Sequence, residues 1–228
     1  MKYDELMRVK IAQNIDEEYC KFHAGVVPGV EVKGVRVPVL RQIAKEFSVY
    51  DDFLANITLD SYEAVCVACY YVGNTTKDLE LLQKRLAVVL PLINNWAICD
   101  TFVSSLKILK TNKRENFYPV LTSYLQSEDV FIVRFAIVCL LSYYITENRV
   151  DEIVERIVKL QGRDYYIDMA IAWLISVVFV KCKTKILPLL RAQILTASVQ
   201  NKSISKICDS YRVSAEDKTL VKQYRCKN

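Results

Sequence analysis

Apolar residues recur at helical spacing along nearly all of this 228-residue chain, and one clear stretch, Gly25 to Gly34 (GVVPGVEVKG), interrupts them. The pattern predicts helices over 3–13, 16–24, 37–47, 61–73, 77–92, 95–110, 114–126, 130–145, 149–160, 164–180, 184–198, 202–209 and 215–225. Glycine and proline number only 5 each, too few for the tight turns of a sheet-rich fold. Pro38 suits the opening of a helix, where its missing N–H costs nothing, and Gly73-Asn74 and Gly162 read as helix ends. The expected fold is therefore all-α, with short links between antiparallel helix pairs.

Several classes are excluded or disfavoured. The longest uncharged apolar run, Met169 to Val180, has 12 residues, whereas a membrane span needs about 20. The start of the chain, MKYDELMRVK, is charged and lacks the apolar core of a secretion signal, so a cytoplasmic protein is expected. Eight cysteines lie mostly in apolar helical stretches and read as reduced core thiols. Cys66 and Cys69 form a lone CxxC with no second pair at zinc spacing, so no metal site is expected. The net charge of +5 is uneven: residues 201–228 hold seven basic and three acidic side chains, and the rest is nearly neutral. Bulk charge thus permits a polyanionic partner without demanding one.

Trp96 and Arg134 lie 38 residues apart, and Arg134 and Trp173 lie 39 apart. Each falls on the second helix of a predicted pair. That spacing sits near the repeat of about 40–47 residues of HEAT-type solenoids and above the 34 of tetratricopeptide units. The prediction is one domain, 1–228, an α-α superhelix of HEAT-like helix pairs with these residues on one concave face.

The residues themselves suit a particular chemistry. Trp96 and Asp100, four apart in NNWAICDTF, stack on one helix face. Arg134 interrupts the apolar run VFIV-FAIVCLL, and an arginine there pairs with a buried acid or faces a cleft. Asp100, one repeat earlier, is its natural partner by register, an arrangement that would keep the carboxylate ionised. Taken singly, core packing accounts for either tryptophan and a local ion pair for Asp100. Taken together, two indoles, a carboxylate and a guanidinium fit a cationic sugar-base unit. Indole faces attract a cation, the carboxylate stabilises developing positive charge, and the guanidinium holds a phosphate.

The blocks GVRVPVLRQIAKEF (34–47), NNWAICD (94–100), FIVRFAIV (131–138) and YYIDMAIAWLISVVFVK (165–181), with the tail KSISKICDSYRVSAEDK (202–218), resemble the AlkD-like DNA alkylation repair family. The resemblance covers most of the chain in the family's order. It implies a HEAT-like fold that wraps double-stranded DNA and a glycosylase that releases cationic N3- or N7-alkylated purines. It gives Asp100 the catalytic carboxylate, Arg134 the phosphate contact, and Trp96 and Trp173 the flanks of the lesion. No cofactor or metal is implied, and a monomer is expected. The chain departs from the family's best-known glycosylases in reaching Gly34 early and in carrying LISVV after Trp173, where they have an Arg-Glu pair.

Arg36, Arg41, Lys107, Lys110, Lys202 and Lys206 are candidate contacts to backbone phosphates. Arg41 leads because it falls inside a family block. A solvated surface accounts for them equally simply. Two alternative functions stand beside the glycosylase: a catalytically inert HEAT-like module that binds DNA or RNA, and a protein–protein scaffold.

Overall fold

The computed structural model describes residues 2–227, which contain thirteen α-helices and no strand. The fold is all-α and HEAT-like. The chain divides into two compact units, Met1–Tyr118 and Pro119–Asn228. The first holds α1 (Asp4–Ala12), α2 (Glu17–Val26), α3 (Val37–Glu46), α4 (Tyr62–Thr75), α5 (Leu79–Val89) and α6 (Trp96–Ser105). The unit boundary falls within α7 (Arg114–Tyr124). The second unit goes on with α8 (Val130–Tyr143), α9 (Val150–Val158), α10 (Tyr165–Lys181), α11 (Lys183–Arg191), α12 (Ala197–Asp209) and α13 (Ala215–Lys222). No helix among the described residues is long and apolar enough to cross a membrane.

In the first unit α4 is the central helix. Every residue from Tyr62 to Gly73 is buried, the mark of a helix packed on all sides. α3 and α6 flank it, and α5 lies against it. Gly73 was expected to end this helix. Instead α4 runs on to Thr75, and Gly73 marks a close approach, since a Cβ there would lie 2.8 Å from the backbone carbon of Ser105 on α6. The interrupted stretch Gly25–Gly34 is tied down at its far end. The Gly34 carbonyl accepts the Asp16 N–H at 3.1 Å, and the buried Glu63 carboxylate accepts the N–H groups of Lys33 (2.7 Å) and Gly34 (3.2 Å). Phe47 and Phe53 stack at 4.4 Å, and Tyr71 packs on Phe53.

In the second unit α10 is central, with α8 and α12 on either side and α11 and α9 against it. Asp164 caps α10 by accepting the Tyr166 N–H, and the largely buried Asp168 accepts the Gly162 N–H at 2.8 Å. The predicted helix 184–198 is in fact α11, ending at Arg191, followed by a break in which Gln193 takes a left-handed φ of 49°. Thr196 then caps α12 through the Val199 N–H, so α12 starts at Ala197, five residues before the predicted 202. The segments 77–92 and 95–110 likewise leave the α form early, at Val89 and Ser105, and finish as 3₁₀ turns over Leu90–Leu92 and Lys107–Lys110.

All eight cysteines are free; four (Cys66, Cys69, Cys99, Cys139) are buried and four are partly exposed. Burial pushes the Cys66 and Cys69 thiols well up, away from the reactive thiolate, in keeping with a packing role for the CxxC.

Candidate functional site

α6 is built to show one narrow face. Asn95 caps it by accepting the Ile98 N–H at 3.0 Å. Ala97, Ile98, Cys99, Phe102 and Val103 turn inward, which leaves Trp96, Asp100 and Ser104 at four-residue steps on the open side. Trp96 and Asp100 are half-buried and one turn apart, as their spacing predicted. The indole is fixed by more than packing: its N–H donates to the carbonyl of Val26, the last residue of α2, at 3.3 Å.

Arg41 joins this face from α3. Its Nη2 donates to the Thr101 carbonyl at 3.0 Å and to the Ser104 hydroxyl at 2.7 Å, and its guanidinium lies 4.7 Å from the centre of the Tyr70 ring. The Tyr70 hydroxyl in turn donates to Thr101 Oγ1 at 2.8 Å. A cation on α3 is therefore held beside the Trp96–Asp100 turn by groups from two other helices, α4 and α6. Arg36 is placed differently: it is exposed, paired with Asp16 at 2.8 Å and laid over the Tyr19 ring. Lys107 and Lys110 stand exposed on the 3₁₀ turn after α6.

In the second unit, Arg134 is 5% exposed on α8 and donates Nη1 to the Tyr166 carbonyl, in the first turn of α10, at 2.8 Å. Trp173 lies two turns further along α10, half-buried, with Met169 one turn before it and Val177 one turn after it on the same outer stripe. Lys202 and Lys206, one turn apart on α12, are half-buried, and the Lys202 ammonium lies 5.0 Å above the ring of Tyr165 on α10.

The register of the landmark residues differs from the expectation. The starts of α6, α8 and α10 are 34 and 35 residues apart, four fewer than the 38 and 39 that separate the landmark residues. Trp96 is the first residue of its helix, Arg134 the fifth and Trp173 the ninth, so each repeat advances the landmark by one helical turn. The residue of α6 equivalent to Arg134 is Asp100 itself.

One group was not singled out from the sequence. Glu63, a single acid in EAVCVAC, is 1% exposed, with Oε2 unpartnered among the described residues. It lines a cavity of about 580 Å³ together with Tyr62, Lys33 and Asn94. Its signal was there to read, an acid inside an apolar helix.

Two stacks of helices, each presenting a tryptophan and charged side chains along an open stripe, define a helical-repeat protein. The chain belongs to the family of DNA alkylation repair enzymes, whose family model matches residues 5–178. None of the curated proteins matches it.

Proposed function

We propose that the protein is a DNA glycosylase that binds double-stranded DNA and hydrolyses the N-glycosidic bond of purines made cationic by alkylation at N3 or N7. The observation that carries this reading is the α6 face, where Trp96 and Asp100 sit one turn apart with the indole pinned to Val26. The alkylated purine carries a positive charge that an indole face attracts. As the bond breaks, that charge moves to the sugar. A fixed carboxylate at Asp100 stabilises the oxocarbenium-like state more than the ground state, which is the condition for catalysis. The same carboxylate can orient the attacking water. Arg134 holds a phosphate of the lesion strand, and Trp173 flanks the nucleotide. Arg36, Arg41, Lys107, Lys110, Lys202 and Lys206 supply cations for the backbone. In this reading 1–228 acts as one functional domain and as a monomer.

The test is release of free 7-methylguanine from duplex DNA, followed in single turnover with protein in excess. Release well above spontaneous depurination is expected, and Asp100→Asn should slow it by about 10²–10³-fold, the usual worth of one electrostatic contact to a developing charge. Release at the spontaneous rate would overturn the reading. Tight, salt-dependent duplex binding without release would leave an inert DNA-binding module in its place.

A further inference from the structure

In the second unit a cavity of about 280 Å³ opens beside Trp173. α10 gives it Trp173 and Ser176, α12 gives Lys206 and Asp209, and the loop after α12 gives Ser210 and Arg212. Arg212 is exposed, and its guanidinium has no hydrogen bond or ion pair among the described residues. Only its backbone N–H is engaged, by Ser210 Oγ at 3.3 Å. The Trp173 indole N–H likewise has no hydrogen-bond partner among the described residues. Further along the same two helices the pattern repeats, with Lys202 over the 59%-exposed ring of Tyr165. Aromatic faces on α10 thus run alongside cations on and just after α12, at steps of one or two helical turns. All these cations lie beyond residue 178, where the family match ends.

We propose that this segment is a phosphate subsite: Lys206 and Arg212 hold one backbone phosphate of duplex DNA against the wall formed by Trp173. The proposal rests on the reading of Trp173 as a nucleotide-flanking residue. A guanidinium with no side-chain partner among the described residues and an ammonium on the same cavity present the charge and hydrogen bonds that a phosphodiester takes. The Ser176 and Ser210 hydroxyls line the same space, although Ser176 Oγ is already bonded to the Trp173 carbonyl at 2.7 Å. Asp209 works against an anion there, so two cations face one acid. That opposition gives the idea a signature a merely solvated lysine cluster lacks: removing the acid must tighten binding.

The experiment measures binding of the full chain to an undamaged labelled duplex over a salt series, by fluorescence anisotropy. Arg212→Gln and Lys206→Gln are each expected to weaken binding about tenfold and to flatten the slope of log K against log salt by up to about 0.9, the worth of the one phosphate they share. Asp209→Asn should strengthen binding at least twofold. Lys84→Gln, which removes an exposed lysine paired with Glu80 on α5, should leave both quantities unchanged. Slopes for Arg212→Gln and Lys206→Gln equal to that of Lys84→Gln, or weaker binding by Asp209→Asn, would overturn the subsite. If Lys206→Gln disturbs α12, Arg212→Gln in the exposed loop carries the test alone. Altered slopes without any base release would sink the glycosylase and keep the subsite. Base release with unaltered slopes would do the reverse.

Discussion

The indole N–H of Trp96 donates to the carbonyl of Val26, so the first residue of α6 is latched to the last residue of α2 across seventy positions of sequence. This bond sets the plane of the ring that the proposed chemistry uses. Trp96→Phe keeps an aromatic face and loses the latch. It should cost about 0.5–1.5 kcal/mol in urea unfolding, the worth of one net hydrogen bond. Base release should fall less than tenfold in Trp96→Phe and further in Trp96→Ala. Equal rates for the two variants would show that the ring itself contributes nothing.

Two glycines in one loop should separate backbone strain from steric overlap. Gly29 and Gly34 both have left-handed φ, 81° and 89°. A Cβ on Gly29 meets nothing, while one on Gly34 would lie 2.5 Å from Cys20 Cβ and 2.6 Å from the Asp16 carbonyl oxygen. Gly29→Ala is expected to cost about 1–2 kcal/mol, the left-handed penalty alone. Gly34→Ala should cost at least about 3 kcal/mol, because the start of α2 must move. Chemical denaturation of both variants checks the ratio.

Much of this was legible in the sequence, for identifiable reasons. All thirteen helices were placed because the 3.6-residue period is strong and turn residues are few. Trp96 and Asp100 were placed on one face because four residues make one turn. The break between α11 and α12 was hidden: Ile194, Leu195 and Ala197 continue the helical period, Gln193 is an unusual left-handed residue, and the Thr196 cap sits inside that run. The repeat length was misjudged because the landmarks occupy successive turns of successive helices, which adds four residues to each interval. Arg41 reads in the sequence as a candidate phosphate contact inside a family block. Its anchorage to Thr101, Ser104 and Tyr70 joins residues up to 63 apart, which no local pattern encodes. The division of the chain at Tyr118 has no compositional mark.

His23 should give the protein a stability change near neutral pH. Its ring lies edge-on between Tyr19 and Tyr62, with Nδ1 2.8 Å from the Tyr19 hydroxyl. Burial lowers its pKa, and the Glu63 carboxylate opposes that shift less strongly. With the folded value below the unfolded one, the unfolded chain binds the extra proton first. Stability is therefore full above the unfolded value of about 6.5 and falls as pH drops below it. The depressed carboxylates of Asp4, Asp16 and Glu46 lose their contribution only at lower pH, below about 4.5. Urea midpoints between pH 7.5 and about 5 should thus fall in the wild type and flatten in His23→Phe. Parallel curves for the two proteins would remove His23 as the cause.

Arg41 and the pair Lys107 and Lys110 are all candidate phosphate contacts, yet their surroundings predict opposite behaviour. Arg41 is built into the fold by two hydrogen bonds from Nη2 and by its place over Tyr70. Arg41→Lys keeps the charge but not the planar fork, so it should lose about 1–2 kcal/mol of stability with little change in the salt slope of duplex binding. Lys107 and Lys110 stand exposed on the turn after α6. Lys107→Gln and Lys110→Gln should shift stability by no more than about 0.5 kcal/mol. Each should flatten the salt slope by about 0.9 if its ammonium meets a phosphate. Measuring Tm and the salt slope on the two lysine variants therefore sorts those cations by role, while Arg41→Lys, which keeps its charge, reports on the fold alone. A lysine variant that changes neither quantity belongs to the solvated surface, and its position leaves the proposed DNA-binding face.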